Sequence, residues 1–164
     1  MLKRVRTKAA KAGDRRFAIV ASRYNGRYVD AMVRAARAEL KRAGASRVEV
    51  FRVPGAYEIP VIAARLARTG SDQTIRFAGI ICLGVILRGE TVHAAHIGEA
   101  VSRAFMELQV KYEVPVVHEV LLLENEQQAR ARCLSRTHNR GTEAAQTALT
   151  MAAVMERLDV AFTK

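Results

Sequence analysis

Four short apolar runs recur along this chain, and each is followed by a stretch whose apolar residues return at helical spacing. The runs are residues 17–21, 48–53, 77–87 and 116–123. The helical patterns are Val29, Met32, Val33, Ala36 and Leu40; Ile59, Ile62, Ala63 and Leu66; Ile97, Val101, Ala104, Phe105 and Leu108; and Ala145, Ala148, Leu149, Ala152 and Met155. Breakers separate them: Asn25-Gly26, Gly44, Pro54-Gly55, Gly70, Arg88-Gly89-Glu90 and Asn139-Arg140-Gly141. Strict strand–helix alternation leaves few architectures. The predicted fold class is α/β: a three-layer α/β/α sandwich with a central parallel sheet and right-handed crossovers placing helices on both faces. The longest run, 77–87, fits a central strand covered on both sides.

Half of the 164 residues are apolar, enough for one globular domain with a core. No run is long enough to span a bilayer and no signal-peptide core precedes the first strand, so a cytoplasmic protein without a membrane partner is expected. Cys82 lies in an apolar run, Cys133 in a polar one; neither metal spacing nor a disulfide framework follows. The net charge of +11 is concentrated at the start. Residues 1–16 hold seven Lys/Arg against Asp14 alone, which places +6 there and +5 on the remainder. That segment reads as a basic, disordered arm ahead of a single domain over 17–164. With only nine aromatics, most of them core residues, the chain lacks a base-stacking platform, and no specific nucleic-acid partner is expected.

In parallel α/β sheets, ligands sit beyond the carboxyl ends of the strands, so the four segments that follow the runs are the ones to inspect. Tyr24, after the first, could stack on a planar ring or pack beneath its loop. Glu58, after Pro54-Gly55, could accept hydrogen bonds from hydroxyls, or simply complement a helix dipole in its first turn. Gly89, Glu90 and Thr91 form a turn before a helix, where free N–H groups suit an anion. His93 and His96 stand three apart on that helix, but without a third ligand no metal site is expected. Arg132, Arg136 and Arg140 recur every four residues, as on a solvated basic face, though a guanidinium there could also hold phosphate.

In this order, Ser22-Arg-Tyr-Asn25, Val53-Pro-Gly-Ala-Tyr-Glu-Ile-Pro60, Leu83-Gly-Val-Ile-Leu-Arg-Gly-Glu-Thr-Val-His93 and Asn139-Arg-Gly-Thr-Glu143 resemble lumazine synthases over residues 17–158. The resemblance implies a flavodoxin-like fold. It also implies an enzyme without metal or redox cofactor that condenses 5-amino-6-(D-ribitylamino)uracil with 3,4-dihydroxy-2-butanone 4-phosphate, giving 6,7-dimethyl-8-ribityllumazine, phosphate and water. By the same resemblance, Tyr24, Ala56, Tyr57, Glu58, Val85, Ile86 and Leu87 would bind the pyrimidine and ribityl chain. Glu90, Thr91 and Arg132 would hold phosphate, and His93 would be the general acid/base. Glu143 would accompany Arg132, and Arg140 stands where many members have Lys. His118 departs from the pattern, replacing a Phe that packs over the pyrimidine from a neighbouring subunit. Such a site requires a homo-oligomer: a pentamer, with a decamer or an icosahedral shell as larger forms. The eight-residue step from Arg132 to Arg140 carries no insertion and so permits a shell. Residues 1–16 lack the alternation of a regular strand. The alternative is a catalytically weak or inactive member that binds flavin or lumazine or builds a shell, supported by His118 alone.

Overall fold

Among the described residues, β-branched and other apolar residues dominate four strands, β1 (Arg16–Ser22), β2 (Arg47–Val53), β3 (Gly79–Leu87) and β4 (Val116–Leu123). The structure is a computed structural model and describes residues 10–68 and 76–162. The strands pair in parallel in the order β2-β1-β3-β4. Central β1 and β3 supply the driest residues: Phe17 to Ala21 and Ile80 to Leu83 have no solvent exposure. Each large aliphatic chain buried there contributes roughly 2 kcal/mol.

Among the described residues, five helices cover the sheet: α1 (Gly26–Arg42), α2 (Ile59–Arg68), α3 (His93–Tyr112), α4 (Glu126–Ala129) and α5 (Arg140–Phe162). Helices α1 and α5 pack with Phe17, Ile19, Ala21, Ile81 and Leu83 on one face. Helices α2 and α3 pack with Ala18, Val20, Ile80 and Cys82 on the other. This is the expected three-layer α/β/α sandwich. Helix α1 buries the stripe read from its spacing, Val29, Met32, Val33, Ala36 and Leu40. It stops where expected, because Gly44 adopts φ +86°. The Gly44 N–H bonds the Lys41 carbonyl at 3.0 Å and the Ala45 N–H bonds that of Leu40 at 3.1 Å, closing a Schellman end. Gly70, the expected stop of α2, lies outside the described residues.

Two segments differ from the sequence reading. The polar stretch after β4, left without a helix, forms α4 and continues into a π-helical turn, Arg130–Leu134. Only Ala129 and Cys133 point fully inward there, too few to make a periodic stripe. Packing also extends to residues ahead of 17. Within the supposed arm, Ala12 is fully buried in the α1–α5 core and its N–H bonds the Ala43 carbonyl at 2.8 Å. Arg15 pairs with Glu156 of α5. Charge density concealed one small apolar residue with a specific seat. Residues 1–9 lie outside the described residues.

Candidate active site

Three strand ends converge on a cleft of about 700 Å³, within the range that suits a small organic ligand. Its lining brings together Tyr24 from the end of β1, Ala56, Tyr57 and Glu58 after β2, Val85, Ile86 and Leu87 of β3, and His93 of α3. The location follows from topology: the chain leaves β1 toward β2 on one side and leaves β3 toward β4 on the other, opening a crevice at the carboxyl ends between β1 and β3.

Local chemistry shapes each wall. After β1, Asn25 takes the left-handed conformation (φ 54°) that short polar side chains tolerate, and opens α1. Its amide does not cap that helix but donates to the Val85 carbonyl at 2.8 Å, pinning the β1 loop to β3. Pro54-Gly55 turns the chain after β2 into a short 3-10 turn, Ala56–Glu58. The Gly55 N–H donates to Glu58 Oε2 at 2.7 Å, so the plain helix-start role of Glu58 is real. A carboxylate retains lone pairs beyond that bond, so the same residue can also serve a ligand hydroxyl. A Cβ on Gly55 would stand 2.9 Å from Glu58 Oε2 and 3.3 Å from the Tyr24 ring, so glycine is what lets these two side chains close over the turn. Tyr24 and Tyr57 nevertheless remain 72% and 64% exposed, two aromatic faces available to a flat ring.

The sequence reading missed five lining residues: Asn25 and Gly55, which it treated as punctuation, and His96, Ile97 and Ala100 of α3. The spacing of His93, His96 and Ala100 was a usable signal, since residues three and four apart share a helix face. Glu90 and Thr91 occupy the exposed turn just before α3 and are not among the cleft's lining residues. Among the described residues, no group of three or more His, Cys, Asp or Glu is placed to hold a metal ion.

The other site candidates do not join the cleft within one chain. Arg132, Arg140 and Glu143 gather on the α5 side of β4, where Arg140 Nη1 bonds Glu143 Oε2 at 2.9 Å. Glu119, which the sequence reading did not single out, stands with them, 3.8 Å from the same guanidinium nitrogen. Burial pushes its carboxyl up to about 7, with the Arg140 charge opposing and the Glu143 charge adding to the rise. His118 faces the opposite side of the sheet. Its ring meets Phe105 edge-on at 5.1 Å, and its Nε2 lies 2.7 Å from Ser102 Oγ. Among the described residues, no helix is long and apolar enough to cross a membrane.

A family model described as 6,7-dimethyl-8-ribityllumazine synthase matches residues 14–156. Relatives bearing that name include one from Stenotrophomonas maltophilia (strain R551-3), 39% identical over 145 residues that cover 87% of this chain and 90% of the relative. Another, from Xanthomonas oryzae pv. oryzae (strain PXO99A), is 40% identical over 145 residues, covering 87% and 91%. One from Xanthomonas campestris pv. campestris (strain B100) is also 40% identical, with the same coverage.

Proposed function

The chain belongs to the 6,7-dimethyl-8-ribityllumazine synthase family, and from that premise we propose how its cleft carries out the condensation. It is a transferase of riboflavin biosynthesis, acting on small substrates. The observation that carries the residue assignment is the convergence of Tyr24, Ala56, Tyr57, Glu58, Val85, Ile86, Leu87 and His93 on one cleft.

In this reading the ribitylaminouracil lies against Tyr24 and Tyr57, with its edge along the backbone of Val85, Ile86 and Leu87. Glu58 accepts hydrogen bonds from the ribityl hydroxyls. The phosphate of the second substrate meets Thr91, the turn at Glu90, and Arg132. An amine attacks a ketone to form an imine with loss of water; phosphate then leaves, and the second amine closes the ring on the remaining carbonyl with loss of a second water. Both partners are reactive by nature, so alignment supplies much of the acceleration. His93 takes and returns protons as these bonds form and break.

The arginine cluster lies outside the cleft of its own chain, so the reading includes a homo-oligomer, pentamer-based, in which a neighbour brings Arg132, Arg140, Glu143 and His118 to the cleft. Exposed Met106, Val110, Leu158 and Phe162 offer apolar area for such contacts. The test is lumazine formation from both substrates, followed by absorbance and fluorescence. His93→Ala is expected to lose about tenfold or more in kcat. Arg132→Ala is expected to raise KM for the phosphate-bearing substrate by about tenfold, as loss of one charge-assisted contact would. Wild-type rates in both variants would overturn the assignment.

A further inference from the structure

Arg140 is claimed twice. Its Nη1 lies 2.9 Å from Glu143 Oε2 and 3.8 Å from Glu119 Oε1, and the Glu119 side chain is the most enclosed of the three at 14% exposure. Arg132, from the π-helical turn, is close enough for its charge to act on Glu119, yet it forms no salt bridge among the described residues. Two carboxylates and two guanidiniums therefore balance to zero where the phosphate reading needs positive charge.

We propose that Glu119 is a positioning residue for the phosphate end of the reaction: it holds Arg140 beside β4, and its own charge sets how much positive charge Arg132 and Arg140 present. This rests on the assignment of Arg132 to phosphate. With Glu119 ionised the four-residue cluster is neutral; with Glu119 protonated it is +1. A phosphate dianion arriving at Arg132 disfavours the ionised carboxylate, so binding draws a fraction of a proton onto Glu119, rising toward one as the pH climbs above the carboxyl's unliganded value. When inorganic phosphate leaves, that proton returns to solvent. Glu119 is suited to this exchange because burial holds its carboxyl up at about 7. The charged and titratable groups facing it are Arg140 and Glu143 of α5 and Arg132 and Cys133 of the π-helical turn. The Cys133 thiol, itself pushed up to about 11 by burial, stays neutral. Across the sheet, the register partner of Glu119 on β3 is the apolar Leu83, while neighbouring His118 faces α3 instead.

The test uses sulfate, whose charge is constant across the relevant pH, as a competitor of the phosphate-bearing substrate on the assembled enzyme. Its inhibition constant is measured from pH 6 to 8.5 for the parent, Glu119→Gln, Glu119→Asp and Arg132→Ala. In the parent, sulfate inhibition is expected to weaken by about fivefold across that range, as for one added charge near a partly buried anion. Glu119→Gln, fixed in the uncharged form, is expected to bind sulfate about as well at pH 8.5 as at pH 6. Glu119→Asp restores a pH dependence with a shifted midpoint. A parent-like slope in Glu119→Gln overturns the proposal, because a merely structural residue would change the level and leave the slope. If Glu119→Gln fails to assemble, an unshifted midpoint in Glu119→Asp overturns it instead. Sulfate inhibition untouched in Arg132→Ala would show that the phosphate assignment had failed first, and would remove the proposal with it. Loss of inhibition in Arg132→Ala alongside an unchanged slope in Glu119→Gln isolates the failure to Glu119.

Discussion

His118 is held in one tautomer by its neighbours. The Val120 N–H donates to Nδ1 at 3.1 Å, so the proton sits on Nε2 and points to Ser102 Oγ at 2.7 Å. The Ser102 hydroxyl is spent on the Gly98 carbonyl, also at 2.7 Å. A second proton on the ring would turn the Val120 contact into donor against donor. Partial burial against α3 is the dominant cause that lowers the imidazole from its ordinary 6.5, with a backbone hydrogen bond at His118 opposing it. As pH falls through that ordinary value, the unfolded chain takes up the proton before the folded one does. The stability tied to neutral His118 is thus present above about 6.5 and lost as the pH drops toward the folded value. His118→Phe should lose less melting temperature than the parent between pH 7.5 and 5.5 in thermal scans. Parallel acid limbs would show that the network carries no such weight.

Helices α1 and α5 meet through a stripe of small residues, Gly141, Ala144, Ala145, Ala148 and Ala152, all buried. At its head, Gly141 lies so close to α1 that an added Cβ would overlap the Met32 carbonyl oxygen, and a backbone atom cannot swing aside. Asn139 anchors the same corner. Its Oδ1 accepts from the Gly141 N–H at 2.8 Å, and its amide donates to the Cys133 carbonyl, joining α5 to the π-helical turn. Gly141→Ala should therefore cost about 3 kcal/mol or more through overpacking, read as a lower denaturation midpoint in urea. It should also displace Arg140 and Glu143, its near neighbours in the chain, and so weaken sulfate binding in step. Asn-x-Gly read in sequence as a turn; its second role as a helix–helix contact depends on a partner more than a hundred residues away.

At the scale of the whole molecule, the cleft and the arginine cluster belong to different regions of one chain, and the reading above requires a second chain to unite them. Sedimentation at micromolar concentration should give about five times the 18.1 kDa chain, or a multiple of that. Functional complementation is a sharper measure. His93→Ala and Arg132→Ala chains, unfolded together and reassembled, should regain about a quarter of parent activity, because random mixing in a ring leaves that fraction of sites with both residues intact. Mixed assemblies as inactive as the separate variants would mean that each chain supplies both residues to its own site.

The alternation of apolar runs and helical stripes determined the layers, because each run must be covered on both faces and each stripe needs a sheet to lie on. The loop strings Ser22–Asn25, Val53–Pro60 and Leu83–His93 determined the family and named most of the cleft, since residues contiguous at strand ends remain neighbours after folding. Glu119 was invisible by the same logic. In sequence it is one acid in an apolar strand, and only the folding of α5 and the π-helical turn onto β4 surrounds it with Arg140, Glu143 and Arg132. Ala12, too, lay hidden in a basic segment until α1 provided its seat. Charge and burial depend on what lies across a gap in space, and distance along the chain carries almost none of that information.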